Sequence, residues 1–351
     1  QMTLDAPTLH SVVDLYPNLK ELDLSASIRE SDTLEALGKL KHLLRLSLVD
    51  CELGEQWSHY LKNCIVLRHI NLSQTVFTKE SISELAKNNG ITSLTLTACH
   101  QVNDDFLDVF QAFKLLRKLD LSYCTAITGK TLNILSTMKV LGSLSLRGCL
   151  LDHPEAIKNI STIESIKSLD ISRCTRFIPS RLIYLTLLPG LTELYMNGCP
   201  HITNQHFKEI AGCEALRELS CTYNPYLNSG GIAYLSELTY LERVDFSGCA
   251  SLDNLSIVAL ENSNNLKYLG LAFCSRLSGD LSRVIKRFEN LQSLDVRATK
   301  VNDDFIQDLE ELPSLKRLDL SACSKITEEG INYLSEHKDL EELILHNCEQ
   351  I

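Results

Sequence analysis

One nine-residue pattern recurs fourteen times along the 351-residue chain. The pattern is L-x-x-L-x-L-x-x-C, as in 116–124, and it returns every 24 or 25 residues. Its first position is always Leu or Ile, its fourth is Leu, Ile or Val, and its sixth is apolar. The first positions are residues 19, 43, 67, 91, 116, 141, 166, 191, 216, 241, 266, 291, 315 and 340. Such a period indicates a solenoid, in which stacked units share one continuous core.

Each repeat divides into a strand half and a helix half. The L-x-L alternation predicts a short strand with one buried face, and the residues that follow place apolar side chains at helical spacing. Because helices, about 10 Å across, are wider than strands, about 4.8 Å apart, the array should curve. We therefore expect a right-handed α/β solenoid, shaped as a horseshoe, with a parallel sheet on the concave side and helices on the convex side. Predicted helix N-caps are Thr128, Thr203, Ser278, Asn302 and Thr327.

The thirteen cysteines fall into defined positions of the repeat. Ten occupy the ninth position: Cys51, Cys99, Cys124, Cys149, Cys174, Cys199, Cys249, Cys274, Cys323 and Cys348. Ser27, Thr75, Asn224 and Thr299 fill the ninth position of the other four repeats. Cys64 and Cys213 precede a first-position Leu by three residues, and Cys221 replaces a sixth-position Leu.

This distribution favours a packing role for the thiols. A small buried side chain with weak hydrogen-bonding ability suits a tight turn after the strand. Disulfides between stacked neighbours would have parallel Cβ vectors, which is poor geometry, and a spacing of 24–25 residues without C-x-x-C is not a zinc motif. Unpaired thiols predict a reducing, cytoplasmic compartment, reached by delivery into a host cell if the protein is bacterial.

The chain from Leu19 onward resembles the leucine-rich repeat family. Cys at the ninth position and the I-T wording after it, as in 124–128, resemble the cysteine-containing subtype, whose usual repeat is slightly longer. That subtype is best known in the substrate-recognition part of F-box proteins, and bacterial effectors delivered into host cells carry repeats of this general kind. The resemblance implies a non-enzymatic protein-binding module that acts as the substrate-recognition part of a ubiquitin-ligase-type adaptor. The alternative is a bacterial effector or inhibitor that binds a host protein or another effector.

Charge and motifs exclude several other functions. Acidic residues outnumber basic ones by 45 to 34, and the net charge of −11 disfavours a nucleic-acid or membrane partner. A receptor for small ligands or nucleic acid is less favoured for the same reason. The sequence contains no H-E-x-x-H, Gly-rich phosphate loop or G-x-S-x-G, so we expect no enzyme, cofactor or metal. An acidic column is either a solvated face or a strip that attracts a basic partner: Asp120, Asp170, Asp245, Asp295 and Asp319.

Departures from the repeat wording indicate where a partner binds. From the fifth repeat, the eighth position alternates large and small side chains: Tyr123, Gly148, Arg173, Gly198, Tyr223, Gly248, Phe273 and Ala298. Either each large side chain lies over a small neighbour, or the large ones form a binding comb of the types that dominate interface hot spots. Together with bulky strand residues, the predicted partner-binding set is Tyr123, Arg147, Arg173, Tyr195, Tyr223, Arg243, Tyr268, Phe273 and Arg297. We expect a protein segment whose acidic or phosphorylated groups meet Arg147, Arg173 and Arg297.

The two ends differ from the repeats between them. Residues 1–18 are expected to form an N-terminal helical cap that Pro17 ends. Residues 19–351 form the repeat domain, which we expect to be open at its C-terminal end because Ile351 comes before any last helix. The native chain is therefore expected to continue, and an F-box would precede the repeats. The expected state is a monomer or a heteromeric complex.

Overall fold

The computed structural model describes residues 3–88, 90–178, 181–309, 312–337 and 339–351. The chain divides into two compact units, residues 1–177 and 178–351. Each unit is built from a parallel sheet on one side and helices on the other, since strands contact the neighbouring strands and helices the neighbouring helices.

The first unit contains seven three-residue strands that follow one another in chain order. Each strand pairs in parallel with the next one. The strands are β1 Glu21–Asp23, β2 Arg45–Ser47, β3 His69–Asn71, β4 Ser93–Thr95, β5 Lys118–Asp120, β6 Ser143–Ser145 and β7 Ser168–Asp170.

The second unit repeats this arrangement with seven further strands, again parallel and in chain order. They are β8 Glu193–Tyr195, β9 Glu218–Ser220, β10 Arg243–Asp245, β11 Tyr268–Gly270, β12 Ser293–Asp295, β13 Arg317–Asp319 and β14 Glu342–Ile344. Every strand covers positions three to five of the repeat, so equivalent residues stand side by side in rows. Val244, for example, pairs with Leu219 and Leu269. This confirms the predicted α/β solenoid.

The connecting segments contain both α- and 3-10 helices. The α-helices are α1 Ala6–Leu15, α2 Lys79–Leu85, α3 Ala156–Ser161, α4 Asn204–Ile210, α5 Ser229–Ile232, α6 Asn254–Val258, α7 Ser282–Ile285, α8 Asp303–Asp308 and α9 Glu328–Tyr333. The 3-10 helices are Ser31–Lys39, Trp57–Leu61, Asp104–Ala112, Leu132–Thr137, Leu182–Leu187, Ala233–Glu237, Gly279–Leu281 and Leu334–Glu336. A 3-10 helix rises about 2.0 Å per residue against 1.5 Å for an α-helix, so it spans a short repeat with fewer residues.

The N-cap prediction holds at four of its five positions. Thr203, Ser278, Asn302 and Thr327 are extended residues that directly precede a helix. The prediction for Thr128 is wrong. Its backbone N–H and hydroxyl bond to the Asp104 carboxylate of the preceding repeat, Gly129 follows with a φ of 91°, and the helix begins only at Leu132.

The core consists of the first, fourth and sixth positions of the repeats, which lie between sheet and helices. In β5, for example, Leu116, Leu119 and Leu121 are at most 1% exposed. The third and fifth positions flank each buried fourth residue and point to the opposite side of the sheet. We call the surface formed by these positions the open face.

Candidate functional site

The turn that follows each strand has one unusual backbone feature. In all fourteen repeats the eighth position is left-handed, with φ between 51° and 75°. Only Gly148, Gly198 and Gly248 supply the residue that adopts this conformation without cost. For other residues the left-handed region costs roughly 1–2 kcal/mol, with Asn and Asp the most tolerant. Sequence reasoning missed this feature, although Asp50 and Asn347 at the same position were a signal for it.

The alternation of large and small residues at the eighth position has a steric basis. A Cβ atom on Gly148 would lie 2.5 Å from Tyr123 Cδ1, and one on Gly248 would lie 2.7 Å from Tyr223 Cε1. Each tyrosine ring therefore lies over the backbone of the glycine in the next repeat. This packing supports the first of the two explanations, and it also fixes the direction of the two rings.

In the first unit, three of the predicted residues lie together. The Arg147 Nε–H donates to the Tyr123 hydroxyl over 3.2 Å. That hydrogen bond, with the charges of Arg147 and Arg173, lowers the pKa of Tyr123. Tyr123 and Arg147 are half-buried, whereas Arg173 is exposed. This group can accept an anionic partner mainly through Arg173.

In the second unit, Tyr195, Arg243 and Tyr268 line a common depression on the open face. The Arg243 Cζ atom lies 4.4 Å from the centroid of the Tyr268 ring, and its Nε is 3.5 Å from Glu218 Oε2. The depression has a volume of about 90 Å³. Burial and the charges of Glu218 and Glu193 raise the pKa of Tyr195. Burial and the Asp245 and Asp295 charges raise the pKa of Tyr268 to about 12.

The remaining predicted residues lie at the turns of the second unit. The side chains of Tyr223 and Phe273 are 61% and 47% exposed. The Arg297 Cζ atom lies 6.0 Å from the Phe273 ring centroid. Arg297 is also within 2.9 Å of Asp295 and 3.5 Å of Asp319, so its charge is already matched by carboxylates.

The acidic column has a structural role. Each of its five carboxylates accepts the backbone N–H of the residue two positions later, over 2.8–3.1 Å. This bond closes the turn that carries the left-handed residue. The five side chains are half-buried or buried, with Asp319 only 7% exposed, so the column is not a freely solvated strip.

The ninth position forms a second backbone ladder. The Cys124 thiol donates to the Leu96 carbonyl over 3.2 Å, and the Cys149 thiol donates to Leu121 over 3.2 Å. The Thr75 hydroxyl makes the equivalent bond to Leu48, which explains why Thr can replace Cys. All thirteen cysteines are free thiols and twelve are buried. The predicted packing role is consistent with this geometry.

Asn224 strengthens this ladder in the ninth repeat. Its side chain is fully buried, accepts the Cys199 N–H over 2.9 Å and donates to the Met196 and Cys221 carbonyls. Asn therefore satisfies three backbone groups where a thiol satisfies one.

Two searches of the described residues found no further kind of site. No three His, Cys, Asp or Glu side chains there are grouped so that they could hold a metal ion. No helix in the described part of the chain is both long and apolar enough to span a bilayer.

Comparison with known proteins supports the fold. No protein-family model matches the sequence, and no curated protein matches it. An internalin from Listeria monocytogenes is 17% identical, with a TM-score of 0.59 over 97% of this chain and 88% of that one. Rad7, from the yeast Rad7–Elc1 complex, is 19% identical, with a TM-score of 0.53 over 93% and 89%.

A third similar structure is larger than this chain. TLR13, in complex with the RNA ssRNA13, is 23% identical, with a TM-score of 0.63 over 95% of this chain and 47% of that one. These three proteins share parallel strands that alternate with helices in repeats of similar kind. The chain therefore has the fold of a leucine-rich repeat protein.

Proposed function

We propose that the chain is a non-enzymatic protein-binding module whose partner docks on the open face and on the turns beside it. The observation that carries the proposal is the exposure of Tyr223 and Phe273 at a left-handed position. Ala98 and Ala322 adopt the same conformation in other repeats, so the fold does not require an aromatic residue there. Aromatic side chains that the fold does not need, and that water surrounds, are typical of binding surfaces.

The favoured biological role is the substrate-recognition part of a ubiquitin-ligase-type adaptor. The cysteine pattern of the repeat supports it, and so does the fold shared with Rad7, which is in a complex with Elc1. The alternative is a bacterial effector or inhibitor that binds a host protein or another effector. The fold shared with the Listeria internalin, over 97% of this chain, favours keeping that alternative.

Two properties of the chain bear on its compartment and on nucleic acid. The buried free thiols support a reducing compartment such as the cytoplasm. RNA binding, as in the TLR13 complex, is less well supported because affinity for nucleic acid depends on neutralising phosphates with basic residues. The net charge of −11 opposes it.

The test is partner capture from native lysate with the complete chain, followed by identification of the bound protein and measurement of its affinity. Tyr223→Ala and Arg173→Ala should each weaken binding by about tenfold, the loss of about 1.4 kcal/mol typical of an interface residue that matters. Tyr240→Ala is the matched control, because Tyr240 is 55% exposed in the same unit but lies outside the pattern positions. Unchanged affinity in both test variants would refute the proposed surface.

A further inference from the structure

The depression between Tyr195 and Tyr268 has the shape of a small slot. Its volume is about 90 Å³, and its lining includes Ser220, Leu219 and Val244 besides the two tyrosines. One water occupies roughly 30 Å³ of liquid, so the slot holds about three waters. That space suits the charged head of one side chain better than a ring system or a whole helix.

The strand register explains why a slot exists here. Tyr195 pairs with Ser220 of β9, and Arg243 of β10 pairs with Tyr268 of β11. The small Ser220 side chain leaves space between the two bulky walls. Gly270 has the same effect beneath Tyr268, since a Cβ atom there would lie 2.7 Å from Asp245 Cγ and 2.9 Å from the Tyr268 hydroxyl.

Carboxylates outnumber basic groups around the slot. The one guanidinium that lines it, that of Arg243, lies 3.5 Å from Glu218, so these two charges largely cancel. Asp245 accepts the Ser247 N–H over 2.9 Å and has no ion pair among the residues that the structure describes. The Tyr195 hydroxyl lies 3.5 Å from a second carboxylate, that of Glu193. The surplus charge at the slot is therefore negative.

We infer that this slot, which we name the tyrosine slot (Tyr195, Glu218, Ser220, Arg243, Asp245 and Tyr268), receives a single Lys or Arg side chain of the partner protein. The inference rests on the proposed function. A cation beside aromatic rings is attracted by their negative faces, and the surplus carboxylate charge adds to that attraction. An acidic or phosphorylated side chain would instead meet Asp245 and Glu218, and it would have to displace Glu218 from Arg243.

This inference changes the expected chemistry of the partner. Sequence reasoning assigned the anchors to acidic groups that meet arginines, but Arg243 and Arg297 are paired with carboxylates of this chain. Arg173, in the first unit, keeps its exposed position for an acidic group. At the slot, a basic side chain is the better complement.

The experiment selects a random dodecamer peptide library, displayed on phage, against the complete 351-residue chain. Enriched peptides should share a Lys or Arg at one position. Replacing that residue by norleucine should weaken a synthetic peptide by about tenfold or more, and so should Tyr195→Ala with Tyr268→Ala in the protein. Asp245→Asn, which keeps an acceptor for the Ser247 N–H but removes the charge, should weaken the peptide by about threefold or more.

Two controls make the outcomes distinct. Tyr240→Ala should leave the affinity unchanged, and circular dichroism should show that the slot variants stay folded. If selected peptides lose affinity in the slot variants but are anchored by acidic or apolar residues, the inference is overturned while the proposed function stands. If no selected peptide responds to the slot variants or to Tyr223→Ala, both are overturned.

Discussion

The steric relation between Tyr223 and Gly248 leads to a quantitative prediction for Gly248→Ala. Gly248 has a φ of 75°, where an L-residue costs roughly 1–2 kcal/mol. Its new Cβ atom would also lie 2.7 Å from Tyr223 Cε1 and 2.9 Å from Cγ. These atoms are close to the root of the ring, so the whole ring must move.

The displacement should cost about 1 kcal/mol, the lower end of the usual range for overpacking, because the ring is 61% exposed and can swing outward. The sum predicts that Gly248→Ala lowers the free energy of unfolding by about 2–3 kcal/mol. Urea denaturation, followed by circular dichroism, measures this change as a shift of the midpoint at constant slope.

A double variant separates the two contributions. In the Tyr223→Ala background the steric part disappears and the backbone part remains, so Gly248→Ala should cost about 1 kcal/mol less than in the native chain. Gly142→Ala is the control, since the nearest atom to its new Cβ is the Arg117 carbonyl oxygen at 3.9 Å. It should change stability by less than about 1 kcal/mol. Equal costs of Gly248→Ala in both backgrounds would refute the steric argument.

Three further predictions concern the ladders and the tyrosine slot. Asn224→Ala should lower the free energy of unfolding by about 3 kcal/mol or more, because three buried backbone groups lose their partner. Asn224→Cys should recover part of this in the same urea assay, and equal stability of the two variants would contradict the reasoning. Iodoacetamide should modify the half-buried Cys348 before any other thiol of the folded chain, whereas burial raises the pKa of Cys124 to about 12 and should protect it, as peptide mass spectrometry can check. Stability should fall as pH rises from the unfolded tyrosine pKa of 10 toward about 12, because unfolded Tyr268 releases its proton first, and Tyr268→Phe should reduce that fall in pH-dependent urea titrations.

The sequence predicted the strands because their determinant is local and repeated. Leu at the fourth and sixth positions imposes a period of two, and all fourteen strands lie at positions three to five. The thiol positions could be predicted for a similar reason, since each Cys occupies the same small slot of its own repeat. The helix type could not be predicted, because α- and 3-10 helices share nearly the same apolar spacing and the number of residues left in each repeat decides between them.

The site was predicted in its residues but not in its grouping. The nine predicted residues form three groups. Tyr123, Arg147 and Arg173 lie in the first unit, Tyr195, Arg243 and Tyr268 line the slot, and the turns carry Tyr223, Phe273 and Arg297. Residue types identified the members, whereas the grouping depends on which side chains share the open face and which stand at the turns.

The carboxylate partners of the arginines explain the larger error about the partner's chemistry. Arg297 pairs with Asp295 of its own repeat and Asp319 of the next, and Arg243 pairs with Glu218 of the previous repeat. A residue spacing of one repeat brings such charges together, so counting arginines overstates the positive charge that a ligand meets. In a solenoid, the charge offered to a partner is what remains after each row has been paired across neighbouring strands. At the tyrosine slot that remainder is negative, and this is why the structure favours a basic anchor where the sequence favoured an acidic one.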